Sequence, residues 1–393
     1  MDTVRFGVVG LGNMGRFHVD YLNALQPAAR LGGVCDVDEQ RCKDIAAKHG
    51  GVPAFATYQE LIDSGAVDAV LIATPHYQHP EIAEMAMNKG LHVLCEKPAA
   101  VTVNGARRMN DAHGKNPKVQ FGMMFQMRTA PIYRKLKSLI AEGELGELTR
   151  LTWIVTDWFR TWSYYASGGW RATWKGEGGG VLINQCPHNL DLIPWLTGMM
   201  PTRVSGVAHI GKTHPIEVED DVTAIMEYAN GMTGHFITTT GEAPGTNRLE
   251  IAGDRGKVVA ENGKLKFFRT RQSVKQVRET SPNLFAQVET WEIDLPFKAE
   301  PEGHKVITEN FVAAIREGKP LIAPGEDGVK QLELGNAMLM AGLSRQAVDL
   351  PLDGDAYEAF LLDLDRKYGG RKKVTAPSGA GATGDMASSF KSA

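Results

Sequence analysis

The chain has 393 residues, 43% of them hydrophobic and 23% charged, with a formal net charge of −3. That length suffices for two domains with separate cores, and the composition is ordinary for a globular protein. The small charge gives no reason to expect nucleic acid or an anionic membrane as partner, and no apolar run approaches the ~20 residues of a membrane span.

The chain opens with an apolar run, Val4 to Val9, that leads into Gly10-Leu11-Gly12-Asn13-Met14-Gly15 and a helical stretch from Arg16 to Ala24. Gly10 permits a sharp turn, Gly12 leaves the backbone open to a pyrophosphate, and Gly15 lets helix and strand pack closely. Asn13 and Met14 belong to the same turn, whose N–H groups and helix dipole suit phosphate. Such a glycine pattern is weak alone. A second apolar run, Leu31 to Val37, carries Asp36 about 20 residues further on, where a carboxylate takes the adenosine ribose hydroxyls and repels a 2′-phosphate. NAD is therefore favoured over NADP. The bland alternative is that Asp36 only starts the next turn, and Asp38 reads as solvated or a helix N-cap.

Strand and helix signals alternate to residue 122. Helices are predicted over 38–49, 58–64, 79–89 and 103–115, and further strands over 67–73, 91–95 and 118–122. Alternation implies a doubly wound parallel sheet, with ligands at the carboxyl ends of the strands. Residues just past those ends are the site candidates: Thr74, Pro75 and His76; Glu96 and Lys97; and Gln126 to Arg128. Lys97 could hydrogen-bond a substrate hydroxyl and steady an alkoxide. A surface lysine beside a helix start fits the spacing equally well.

From 123 the pattern changes. A helix is predicted over 132–142, a strand over 148–157 and a helix over 181–196. Six strands follow between 204 and 269 without intervening helices, which argues for an antiparallel sheet. Helices are predicted at 304–317 and 328–348. The expected domains are 1–122, 123–369 and a disordered tail, 370–393. Five of the seven tryptophans lie between 153 and 174, interleaved with Arg160, Tyr164, Tyr165 and Arg171. Trp158 and Trp170 with these residues suit sugar faces and hydroxyls; an oligomer interface is the rival reading. Asn184, His188 and Asp191 fall on one face of the predicted helix. His188 could accept a proton, or be a core histidine with Asp191 as partner. Cys35, Cys42, Cys95 and Cys186 show no paired spacing and, without a signal-peptide pattern, read as reduced thiols of a cytoplasmic protein. No His, Cys and carboxylate cluster has metal-site spacing, so no metal is predicted.

With Gly10-x-Gly12-x-x-Gly15, Glu96-Lys97-Pro98 and the run Gly178 to Asp191, the chain resembles the glucose–fructose oxidoreductase/inositol dehydrogenase (Gfo/Idh/MocA) family. Pro131 to Lys135, Val218 to Val222, Gly253 to Lys257 and Val348 to Leu352 extend the resemblance to about residue 353. The resemblance implies a Rossmann domain plus an α+β domain with a large, mostly antiparallel open sheet that commonly makes a homodimer or homotetramer interface. It also implies NAD(P)-dependent chemistry at a secondary hydroxyl of a sugar, glycoside or cyclitol. By motif, Lys97 matches the family's catalytic lysine and His188 the histidine of its Lys/Asp/His set. The Asp expected four residues before that histidine is Asn184 here, which cannot act as a carboxylate; it is expected to bind a substrate hydroxyl. Thr74, Pro75, His76 and His79 match the cofactor-side loop, with His76 turned toward substrate. Glu96 and Lys97 border the cofactor, and Arg128, Trp158, Arg160, Tyr164, Tyr165, Trp170 and Arg171 complete the substrate-binding set. The expected activity is an NAD-dependent dehydrogenase. The rivals are redox-neutral NAD-dependent glycoside hydrolysis and a non-catalytic sensor.

Overall fold

A computed structural model describes residues 2–375; the predicted tail from 376 on lies outside the described residues. The chain divides into two compact units. The first comprises Met1–Thr129, Gly176–Gly178 and Pro301–Leu332; the second comprises Ala130–Lys175, Gly179–Glu300 and the chain from Glu333 on.

In the first unit, strands β1 (Val4–Val9), β2 (Ala29–Cys35), β3 (Ala54–Phe55), β4 (Ala69–Ile72), β5 (His92–Cys95) and β6 (Phe121–Met123) form one parallel sheet. Its order is β3-β2-β1-β4-β5-β6. All four β4 residues are buried, as continuous apolar runs in a two-sided parallel sheet should be. Helices α1 (Asn13–Ala24), α2 (Glu39–Lys48), α3 (Tyr58–Asp63), α4 (His79–Asn88) and α5 (Val103–Lys115) alternate with the strands. Asp38 is the N-cap of α2, accepting from Arg41 N–H, and Thr57 and Glu60 make a capping box on α3. The helix His304–Glu317 was assigned by sequence to the second domain. It joins this unit because Phe311 packs on Phe6, ring centroids 6.2 Å apart.

The second unit holds β7 (Leu148–Val155), β8 (Arg203–Ile210), β9 (Glu219–Glu227), β10 (Thr233–Thr239), β11 (Asn247–Gly253), β12 (Gly256–Glu261), β13 (Lys264–Thr270), β14 (Thr290–Asp294) and β15 (Val348–Asp349). They form one nine-stranded sheet, β14-β13-β12-β11-β7-β10-β9-β8-β15, antiparallel except for β7 beside β10. Burial alternates along β9, giving one packed and one more exposed face. The predicted helix 181–196 is broken: Val181–Asn184 is one turn, and Pro187 starts a second helix, Pro187–Thr197. Gln185 N–H and Cys186 N–H both donate to the Val181 carbonyl, which closes the first turn before Pro187. The helix Gly354–Tyr368 escaped the sequence reading; Asp353 caps it by accepting from Asp355 and Ala356. Among the described residues no helix is long and apolar enough to cross a membrane, and no group of His, Cys, Asp and Glu could hold a metal ion.

Candidate active site

In the first unit the candidate residues converge on one edge of the sheet. Gly10 has φ +88°, a left-handed conformation that favours glycine, and starts the turn from β1. A Cβ on Gly15 would lie 1.8 Å from the Gly10 carbonyl oxygen, so only glycine lets α1 seat on that turn. A Cβ on Gly12, by contrast, would meet nothing within 4 Å. The turn therefore leaves open space at Gly12, where a pyrophosphate would approach the start of α1.

Asp36 closes the same edge at the end of β2. Its carboxylate is buried and accepts from Leu11 N–H at 2.6 Å and from Asp38 N–H at 2.9 Å. It thus braces the glycine turn. Arg41, which the sequence reading passed over, places its Nη1 3.4 Å from both Asp36 oxygens. Past β4, the Thr74 hydroxyl is buried with no hydrogen-bond partner. An orphaned hydroxyl beside an open glycine turn fits a bound dinucleotide, which would supply its missing partner.

Lys97 follows β5 by two residues and Glu96 by one. Glu96 does not face outward as a cofactor ligand would. Its buried carboxylate lies 2.7 Å from His18 Nε2 and 3.9 Å from His304 Nε2, and accepts from Lys97 N–H at 3.1 Å. Burial alone would raise this carboxyl, but the His18 hydrogen bond and the charges of His18, His304 and Lys97 hold it at about 2. Burial pushes the His304 imidazole down to about 4 against the pull of Glu96. The sequence signal for this cluster was Glu96 alone; His18 and His304 are brought to it by the fold.

Two further assignments are corrected. The His79 ring is fully buried, with its nitrogens 2.8 Å from the Pro98 carbonyl and 2.9 Å from the Thr74 carbonyl. It clips the loops after β4 and β5 together instead of reaching a cofactor, and burial lowers its pKa. Arg128 is 3% exposed, and its guanidinium donates to Asp327 at 2.8 Å and to the Ile322 carbonyl at 3.2 Å, beside the Phe125 ring. That buried ion pair explains Arg128 without a substrate. His76 stays at the edge beyond Pro75, with Nδ1 3.1 Å from the Glu177 carbonyl.

In the second unit the aromatic segment separates into core and site. Trp153, Trp174 and Tyr165 are buried. The Tyr165 hydroxyl pairs with Thr240 at 2.8 Å and its ring packs 4.8 Å from His214, so Tyr165 is a packing residue and not a sugar ligand. Tyr164 is the hub of the remainder. The Arg160 and Arg171 guanidiniums lie 5.0 and 4.4 Å from its ring centroid. Its hydroxyl accepts from Arg171 Nη1 at 2.7 Å and from Gln185 Nε2 at 3.1 Å, and donates to Asn184 Oδ1 at 3.2 Å. Arg160 also stacks on Trp158 and Arg171 on Trp170. Beside Arg160, burial raises the Asp157 carboxyl. Gln185 and Asp157 carried no sequence signal.

Asn184 closes the single turn Val181–Asn184, whose N-terminal Gly180 and Leu182 N–H groups both donate to buried Glu219. Gln185 Nε2 also donates to Asn184 Oδ1, so that oxygen has two donors, Tyr164 and Gln185. The helix break means that Asn184 and His188 do not share a continuous helical face. His188 is 5% exposed and Asp191 1% exposed, both on the following helix.

Two stretches of the chain match known protein families. The NAD-binding Rossmann domain of an oxidoreductase family matches residues 4–123, and the GFO/IDH/MocA C-terminal domain matches 133–259. An inositol 2-dehydrogenase of Corynebacterium glutamicum is 32% identical over 237 residues, 58% of this chain and 65% of the relative, so the match spans just under two thirds of that protein. The rhizopine catabolism protein MocA of Rhizobium meliloti is 32% identical over 237 residues, 60% of this chain and 70% of its own. Among solved structures, the WlbA dehydrogenase of Bordetella pertussis, in complex with NADH and UDP-GlcNAcA, superposes with a TM-score of 0.75 at 26% identity, over 89% of this chain and all of that one. The chain belongs to the GFO/IDH/MocA oxidoreductase family.

Proposed function

We propose that the protein is an NAD-dependent oxidoreductase acting on a secondary hydroxyl of a sugar or cyclitol. The observation that carries this reading is the sheet edge of the first unit, where Gly12, Asp36, Thr74 and Lys97 follow the carboxyl ends of β1, β2, β4 and β5. Gly10, Gly12, Asn13, Met14 and Gly15 would hold the pyrophosphate, Asp36 the ribose, and Thr74 and Pro75 the loop beside the nicotinamide. When bound, NAD supplies the hydride acceptor.

This chain's own residues do the rest. The Lys97 ammonium donates to the reacting oxygen and stabilises the charge that builds there. His188 accepts the hydroxyl proton as the carbon gives up its hydride. Asn184, Arg160, Arg171, Trp158, Trp170 and Tyr164 hold the ring, with His76 on the substrate side of its loop. The inositol in one relative's name and the UDP-GlcNAcA bound in one similar structure support a polyhydroxylated ring as the class. The hydrolytic rival draws no support from relatives named for dehydrogenation. We also infer a cytoplasmic homodimer or homotetramer that associates through the nine-stranded sheet, a state that light scattering on the purified chain would read.

The test is a panel of sugars, glycosides and cyclitols incubated with NAD⁺ or NADP⁺, with nicotinamide absorbance and sugar products followed together. Reduced NAD accumulating with one class supports the reading. Cleaved glycoside without reduced cofactor, or no reaction with any class, overturns it.

A further inference from the structure

The chain does not leave the second unit at the end of its last helix, Gly354–Tyr368. Arg371 N–H donates back to the Tyr368 carbonyl at 3.2 Å, and the Arg371 guanidinium lies 4.8 Å from the Tyr368 ring centroid. Lys372 then extends its side chain to two backbone carbonyls, Gly168 at 3.0 Å and Arg171 at 2.7 Å. Lys373 N–H donates to the Pro215 carbonyl at 2.9 Å. Three consecutive residues that sequence composition assigned to a tail are therefore tied to the second unit.

The two carbonyls that Lys372 holds are the ends of one turn. Arg171 N–H donates to the Gly168 carbonyl at 3.3 Å, and Trp170 sits at the corner. The next residue, Ala172, has φ +53°, a left-handed conformation that a residue with a Cβ adopts at a cost and that its surroundings must maintain. The Arg171 side chain leaves this turn to lie on Tyr164 and Trp170 and to donate to the Tyr164 hydroxyl, which in turn donates to Asn184. Pro215 belongs to the loop that holds His214 against Tyr165 and places His214 Nε2 2.9 Å from the Arg160 carbonyl. One ammonium thus neutralises the carbonyl dipoles of the turn that aims Arg171, and the adjacent N–H anchors the loop beside Arg160.

We propose that residues 371–373 act as a C-terminal strap and that Lys372 is a positioning residue for the candidate sugar-binding cluster, an inference that rests on the functional reading above. Lys372 sets the backbone from which Arg171 reaches Tyr164 and Asn184. A lysine suits the task because its ammonium can donate to two acceptors at once from a slender stem, whereas a neutral side chain of the same length cannot.

The test compares Lys372→Met, which keeps the stem and removes the donors, with Lys372→Arg, which restores charge and donors, each in the full chain. Hydrogen exchange is read over 163–174, with the helix Pro187–Thr197 as internal reference, and steady-state kinetics are measured with the sugar or cyclitol found by the panel. For Lys372→Met the strap predicts exchange over 163–174 faster by at least about tenfold, the size expected for even one of the two lost charge-assisted hydrogen bonds, with the reference helix unchanged. It further predicts a sugar KM raised by about tenfold, with kcat and the KM for NAD within about twofold, and partial recovery in Lys372→Arg. Unchanged exchange over 163–174, or exchange that rises equally throughout the unit, overturns the strap. If the parent chain turns over no substrate, the functional reading fails while the exchange result still decides the strap. If the parent is active and Lys372→Met matches it in both readouts, the strap alone fails.

Discussion

The two candidate regions are built in different ways. The sheet edge of the first unit is a backbone site: glycines without side chains, a helix start, and Asp36 and Lys97 placed by where strands end. The aromatic cluster of the second unit is a side-chain site, in which Tyr164 takes its position from Arg160, Arg171, Gln185 and Asn184. A backbone site has no room for an added atom where its turn closes on itself, as at Gly15, and open space where it does not, as at Gly12. A side-chain site is a network whose members can be exchanged, and so can be retuned for different ring substituents while the chemistry at the other stays the same. That difference fits a family whose members are named for different substrates, inositol and levoglucosan among them.

Substitutions can break or sharpen this contrast. The largest effect is expected at Lys97: Lys97→Ala should lower kcat by about a thousandfold while NAD affinity, measured by fluorescence or calorimetry, changes little. Next come the glycines. Gly12→Ala should leave the melting temperature unchanged, since its Cβ meets nothing, yet weaken NAD binding by well over tenfold because the methyl occupies the pyrophosphate's approach. Gly15→Ala should instead cost stability, about 1–3 kcal/mol for an overpacked contact, because its Cβ meets the Gly10 carbonyl. Equal melting temperatures for the two variants would contradict the turn geometry. In the other region, Tyr164→Phe removes one hydroxyl hub and should raise the sugar KM by about tenfold with NAD binding untouched.

The smallest effect concerns pH. Glu96 is held at about 2, and His304 is pushed to about 4 from the usual 6.5. Between pH 6.5 and 4 the unfolded chain binds a proton at residue 304 that the folded chain does not, and below the ordinary glutamate range the same holds at residue 96. Stability is therefore full above about pH 6.5 and falls as pH drops through that window. Urea midpoints from pH 7 to 4 should decline for the parent and less steeply for His304→Gln. Parallel declines would refute the assignment.

How much of this was legible in the sequence follows the same division. The β1 turn, the helix Val103–Lys115 and the N-cap Asp38 could be read because local spacing and backbone geometry dictate them. The run of strands after residue 204 could be read because each is bounded by turn residues. Tyr164 and Tyr165 are adjacent and chemically alike, yet one is a hub and the other is packed on His214; only the fold separates them. Arg128 and His79 stand where ligands bind in such sheets but are taken up by Asp327 and by two carbonyls. The helix break before Pro187 was hidden by an apolar periodicity that runs through it. Lys372 lay in a stretch whose composition reads as tail, and its role comes from contacts more than 200 residues away in sequence.

The proposed hydride transfer between a sugar or cyclitol carbon and NAD turns on Lys97, just past the end of β5. The most direct test is a single-turnover measurement of NAD⁺ reduction at saturating cofactor, comparing the parent chain with Lys97→Ala. Reduced NAD should form rapidly in the parent, and that phase should be lost in the variant, which still binds NAD. An equal rate in both, or no reduction by the parent with any polyhydroxylated ring, would contradict it.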